Sequence, residues 1–98
     1  MRVFNWNKAK NEKLKRERGI SFESVVFLIG RGLVMDEYEH PNQKKYPGQR
    51  IYEVLAGDYI FLVPFVETKL EIFLKTIIPS RKAKRKYMKG KNTNDKKT

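Results

Sequence analysis

No cysteine occurs among the 98 residues, which removes disulfides, thiolate nucleophiles and cysteine zinc sites together. A single histidine, His40, leaves no histidine cluster for a metal. No apolar run approaches the roughly 18 residues that a bilayer-spanning helix needs. The longest, Tyr59 to Val66, is strand-sized and contains Pro64. The opening MRVFNWNKAK lacks the apolar stretch of a secretory signal, so a cytoplasmic chain with no membrane partner is expected. Negative charge is scarce as well: 11 Asp and Glu stand against 22 Lys and Arg, for a net charge of +11. The length holds one domain with a modest core, and an apolar content of 40% is enough to fold it.

The excess of positive charge sits at the two ends. Residues 1–18 carry seven Lys and Arg against Glu12 and Glu17, and residues 79–98 carry nine against Asp95 alone. The middle is slightly acidic. If the fold joins the two ends, they make one cationic face that attracts a polyanion by neutralising phosphates and releasing counterions. Solubility alone asks for a net charge of only about 2 to 8. An anionic membrane surface fits less well, because no basic stretch carries an apolar face.

Local signals predict an α+β chain in the order β-α-α-β-β-β-β-α. Arg2 to Trp6 reads as a short strand. Asn7 caps a polar helix that runs to about Arg18 and stops at Gly19. Ser21 caps a second helix, whose Phe22, Val25, Val26 and Ile29 form a core-facing stripe. Gly30 and Gly32 end it, and Leu33 to Asp36 is a short strand. A long loop, Glu39 to Gln49, precedes a three-strand meander. Ile51 to Leu55 turns at Gly57-Asp58 into Tyr59 to Val66, where Pro64 signals a bulge or an early end. Leu70 to Ile78 then alternates, with Leu70, Ile72, Leu74, Thr76 and Ile78 on one face. Ser80 caps a short basic helix, Arg81 to about Met88. Residues 1–88 are expected to be one domain and residues 89–98 a disordered basic tail.

Three blocks resemble the BrnT toxin family. They are Phe4-Asn5-Trp6-Asn7 with Lys10-Asn11, then Arg18-Gly19-Ile20-Ser21-Phe22-Glu23, then Ile77-Ile78-Pro79-Ser80-Arg81-Lys82-Ala83 with Arg85 and Tyr87. The resemblance implies a RelE-like fold, with two N-terminal helices packed on a small antiparallel sheet and a short basic C-terminal helix. It further implies a ribonuclease toxin of a type II toxin–antitoxin system. The cognate antitoxin would carry a ribbon-helix-helix part, and the complex would bind operator DNA through it. The family's Lys-His-Gly stands here as Glu17-Arg18-Gly19, so Lys15, Arg16 and Arg18 are the substitutes for its basic contact to RNA. Its acidic segment after the central loop stands as Gln49-Arg50-Ile51, which leaves Arg50 as the RNA contact there.

RNA cleavage without a metal uses the substrate's own 2′-hydroxyl as nucleophile. The protein must move protons and stabilise charge on the phosphorane. Arg81, Lys82 and Arg85 fall where a strand meets a helix, and Arg81 and Arg85 share a helical face. Their planar forks suit two phosphate oxygens, so Arg81 and Arg85 are the catalytic candidates and Lys82 a binding one. Lys84 and Lys86 read as solvated charges. His40 is the one side chain that titrates near neutrality unaided and is the acid–base candidate. Tyr87 and Tyr46 are candidates to stack on a base, with core packing the competing role for Tyr87. Trp6 packs on the second helix or the meander, or stacks on RNA. Asp36, Glu37 and Glu39 lack the companions a metal site needs, and no cofactor is expected. Two classes follow: a metal-independent endoribonuclease, and a non-catalytic basic module that binds nucleic acid or serves as a regulatory subunit.

Overall fold

Two capped helices open the fold after a first strand. In the computed structural model, which describes residues 2–87, strand β1 (Val3–Trp6) leads to helix α1 (Lys8–Arg18). Asn7 caps α1, its Oδ1 accepting from the Lys10 N–H at 2.9 Å, and Gly19 ends it at φ 66°. Helix α2 (Phe22–Gly30) starts at Ser21, whose Oγ accepts from the Ser24 N–H at 3.1 Å. The expected starts and stops of both helices are met, because capping is a local matter.

Then come β2 (Val34–Glu39), β3 (Arg50–Ala56), β4 (Tyr59–Glu67), β5 (Glu71–Leu74) and β6 (Ile78–Pro79), and residues 81–87 form helix α3. The β3–β4 turn carries Gly57 at φ 61°, with no positive φ at Asp58, the glycine-first pattern of a type II′ hairpin. No helix among the described residues is long and apolar enough to cross a membrane. Met88 and the expected tail, residues 89–98, lie outside the described residues.

The sheet corrects the expected fold class. In place of two N-terminal helices on a small antiparallel sheet, there is a six-stranded mixed sheet ordered β1-β5-β4-β3-β2, with β6 also on β4. The chain enters through a strand, and β1 lies parallel to β5, Phe4 opposite Ile72 and Trp6 opposite Leu74. A RelE-like arrangement is therefore not what this chain forms. Local patterning identifies a strand but carries no information on which edge it joins, or in which direction.

A second correction concerns Leu70 to Ile78. The segment is not one evenly alternating strand. Phe65 faces Leu74 and Glu67 faces Ile72 across β4–β5, whereas Leu62 faces Ile78 and Phe61 faces Pro79 across β4–β6. One residue is gained between the two ladders. Pro64 supplies the reason. Its carbonyl accepts from the Lys75 N–H at 2.7 Å, but it has no N–H to return to Lys75. Of the bulge or early end expected at Pro64, the early end does not occur, since β4 runs through it, and the irregularity falls on the neighbouring strand. The shift turns Ile77 fully into the core and leaves Ile78 40% exposed.

The core lies on one face of the sheet, where Leu14, Phe22 and Val25 meet Tyr52, Val54, Val63, Phe65, Leu74 and Ile77. Trp6 stacks on Phe22 with ring centroids 5.8 Å apart, so it packs on α2. Asn11, 2% exposed, joins the helices: its Oδ1 accepts from the Phe22 N–H at 2.8 Å and its Nδ2 donates to Glu23 at 2.7 Å. That amide bond is the main reason the Glu23 carboxyl titrates below its ordinary value.

Two outcomes follow from this packing. Ile77→Ala should cost about 2–5 kcal/mol, while Ile78→Ala should stay within about 0.5 kcal/mol. Urea unfolding measures both, and equal losses would contradict the shifted register. At the helix junction, a lowered carboxyl contributes stability above its unfolded value and loses it as pH falls through the folded one. Asn11→Ala should destabilise the protein by about 1–3 kcal/mol at neutral pH. It should also weaken the acid-side fall in stability, which urea midpoints at neutral and acidic pH will reveal.

Candidate nucleic-acid interface

Helix α3 is held against the sheet at its first residue. The Ser80 N–H donates to the Ile60 carbonyl at 3.0 Å, and Ser80 Oγ accepts from the Ala83 N–H at 3.1 Å. Ala83 and Tyr87, four apart on one helical face, then turn inward. They lie over the face that carries Ile60, Leu62 and Glu53, opposite the main core. The other five described positions of α3 are Arg81, Lys82, Lys84, Arg85 and Lys86, so its outer arc is entirely cationic.

The helix divides these cations between two grooves. Along one flank, Arg81, Lys84 and Arg85 line an open groove of about 590 Å³ with Tyr59, Pro79 and Ser80. Tyr59 is 58% exposed, and the Lys84 ammonium lies 4.8 Å from its ring centroid. Among the described residues, no carboxylate pairs with any of these three cations. The predicted proximity of Arg81 and Arg85 is thus realised. Lys84, expected to be a solvated charge, instead shares their groove.

On the other flank, Lys82 and Lys86 border a groove with Tyr38 and Glu53. Glu53 is only 5% exposed. Its two oxygens accept from the Tyr38 hydroxyl at 2.9 Å and the Tyr87 hydroxyl at 2.8 Å. Lys86 stands 3.8 Å from Glu53 and 3.8 Å from Asp36, so it too is engaged rather than simply solvated. Burial, followed by the bond to Glu53, raises both Tyr38 and Tyr87 above the ordinary phenol range. The nearby Glu53 carboxylate in turn raises Lys86. Glu53 went unnoticed in the sequence, although a carboxylate in the middle of the otherwise apolar strand Ile51–Leu55 marks a buried charge that must find partners.

The remaining candidates are dispersed. The His40 N–H donates to Gln49 at 2.9 Å, its Nδ1 accepts from the Asn42 N–H at 3.0 Å, and its ring packs on Tyr46 at 4.5 Å. Gln49 precedes Arg50, which faces Phe65, whereas Ser80 bonds at Ile60. Five or more strand residues, ~17 Å, therefore separate His40 from Arg81. His40 does not join Arg81 and Arg85 in one constellation. Arg50, at the same far end, pairs with Glu37 at 3.2 Å. Lys15 pairs with Glu12 at 3.2 Å, and the Arg18 guanidinium donates to the Ile77 carbonyl at 2.6 Å, inside the one-residue shift. Arg16 is exposed on α1. Among the described residues, no three acidic or histidine side chains are gathered as a metal requires.

The Glu53 cluster should anchor α3. Removing one hydroxyl by Tyr87→Phe leaves a buried carboxylate oxygen short of a donor, for about 1–3 kcal/mol. Tyr46→Phe, at a loop position, should be nearly neutral. Thermal unfolding of the two variants measures the contrast, and equal stability would show that α3 does not depend on the bond. Comparison of the chain with family models, with curated proteins and with solved structures returned no match.

Proposed function

We propose that this chain is a ribonuclease toxin that cleaves RNA without a metal and is restrained by a cognate antitoxin. The observation that carries the reading is the groove beside α3, where Arg81 and Arg85 stand free of carboxylates beside the exposed ring of Tyr59. Resemblance of the three sequence blocks to the BrnT family supports the same activity. It also supports an antitoxin with a ribbon-helix-helix part, operator binding through the complex, and action in the cytoplasm.

The chemistry begins with a phosphate held between the two guanidinium forks. Attack by the adjacent 2′-hydroxyl forms a cyclic phosphate and expels the 5′-oxygen. Charge accumulates on the phosphorane oxygens, where fixed cations stabilise it more than they stabilise the ground state. Tyr59, which lines the groove, is the proposed donor to the leaving oxygen, and the 2′ proton passes to solvent. His40 takes no part, because of its distance along the sheet.

A second reading, a binding module without catalysis, draws on a specific observation. Glu53, the buried carboxylate under α3, is occupied by two tyrosine hydroxyls, so the helix presents cations with no carboxylate base in reach. Arg81→Ala separates the two readings. It should lower cleavage of a model RNA by about a hundredfold or more, relieve growth arrest in a bacterial host, and reduce RNA affinity far less. Lys44→Ala, an exposed loop charge, should change neither rate nor growth. Soluble wild-type protein that binds RNA yet neither cleaves it nor arrests growth would establish the binding module instead.

A further inference from the structure

Phe73 is turned away from the main core. Its neighbours Ile72 and Leu74 are buried there, so strand alternation directs Phe73 to the face of the sheet that carries α3. It lines a shallow, open depression of about 600 Å³ together with Lys75 and the start of α1, where Asn7, Ala9, Lys10 and Lys13 form the rest of the lining. The Lys75 ammonium lies 5.5 Å from the Phe73 ring centroid. Among the described residues, no carboxylate pairs with Lys10, Lys13 or Lys75. The one carboxylate of β5, Glu71, accepts from Asn5 Nδ2 at 2.9 Å instead.

Three unpaired ammonium groups around an apolar ring repel one another in the free protein. A flexible polyanion that also carries aromatic faces would relieve that repulsion and use the ring. Single-stranded nucleic acid has both properties: phosphates for the lysines and a base to stack on Phe73. A duplex has its bases already stacked, and an anionic lipid surface would leave the ring without a specific partner. We infer that this groove is a second contact for single-stranded RNA, one base lying on Phe73 and the flanking phosphates on Lys10, Lys13 and Lys75.

The inference rests on the reading of the chain as a protein that acts on RNA, and it adds a path to that reading. Phe73 faces Val66 on β4, while Ser80 bonds at Ile60. Six strand residues, ~20 Å, lie between the groove and α3. RNA gripped at α3 must therefore extend across the sheet to reach Phe73. A short fragment cannot occupy both places.

Binding of 2′-O-methyl RNA, which lacks the nucleophile and stays intact, tests this with the full chain. Oligonucleotides of about 4 and about 16 residues bracket the range of single-strand sites. The triple variant Lys10→Gln, Lys13→Gln, Lys75→Gln should weaken the longer RNA by about tenfold or more. It should also reduce the slope of log affinity against log salt by about 2. Phe73→Leu should weaken the longer RNA by about tenfold, and neither change should affect the shorter one. Photocrosslinking of 5-iodouridine RNA to wild-type protein should mark Phe73, a readout that does not depend on any variant folding. Folded variants with unchanged affinity, together with crosslinks elsewhere, would overturn the second contact while leaving Arg81-dependent cleavage intact. Equal losses for heparin and RNA, with Phe73→Leu neutral, would reduce the groove to general charge and overturn it as well. Wild-type protein that binds neither RNA would overturn both this contact and the proposed function.

Discussion

Pro64 lies in the middle of the sheet with a carbonyl to offer and no N–H beside it. The strand next to it therefore receives half of a hydrogen-bonded pair, and the register slips by one residue before β6 resumes. Much of the architecture depends on that slip. It turns Ile77 inward, and the Ile77 carbonyl, released from the ladder, takes the Arg18 guanidinium from the end of α1. Pro79 and Ser80 then pair at the start of β4, which sets where α3 begins. Without the extra residue, Ile78 would take the buried place and the chain would enter α3 from the opposite face.

Helix α3 poses an electrostatic problem, since five of its seven described residues are cationic. The repulsion is offset from below. Glu53 is a buried negative charge whose oxygens are both satisfied by tyrosine hydroxyls, one from β2 and one from α3 itself. Lys86 reaches the same carboxylate and Asp36 on the neighbouring edge. This arrangement leaves Arg81, Lys84 and Arg85 unpaired on the other flank. Lys86, the one described α3 cation with a carboxylate partner, ties the helix to the sheet, while Arg81, Lys84 and Arg85 face the groove without one. The acidic residues of β2, Asp36, Glu37 and Glu39, also make that outer edge a poor template for pairing with another strand.

Local order was legible because local interactions create it. Asn7, Gly19 and Ser21 marked the helix limits, Gly57-Asp58 marked the hairpin, and Phe22 with Val25 marked the buried side of α2. Of the candidate site, the shared face of Arg81 and Arg85 was readable, because helical spacing alone puts residues four apart together. The grouping of His40 with them was not. Nothing along the chain says that the loop and α3 meet opposite ends of β4. Lys84 looked solvated for the same reason: its neighbour Tyr59 is distant in sequence and adjacent only after the sheet has formed.

What the sequence by itself determined is the inventory and its local geometry: no thiol chemistry, one histidine, cationic ends, and elements with defined starts and stops. The tertiary structure alone decided how those pieces face one another. β1 joins β5 in parallel with Phe4 and Trp6 packed against the core and Trp6 stacked on Phe22 of α2, an arrangement that no propensity of VFNW specifies. Glu53 becomes an anchor because strand pairing brings Tyr38 beside it and α3 lowers Tyr87 onto it. The cationic ends of the chain acquire separate grooves because α1 begins beside Phe73 and Lys75, opposite Val66, while α3 is pinned six strand residues away at Ile60. Sequence periodicity records which residues share a face, but only the packed sheet establishes which face is covered and by what.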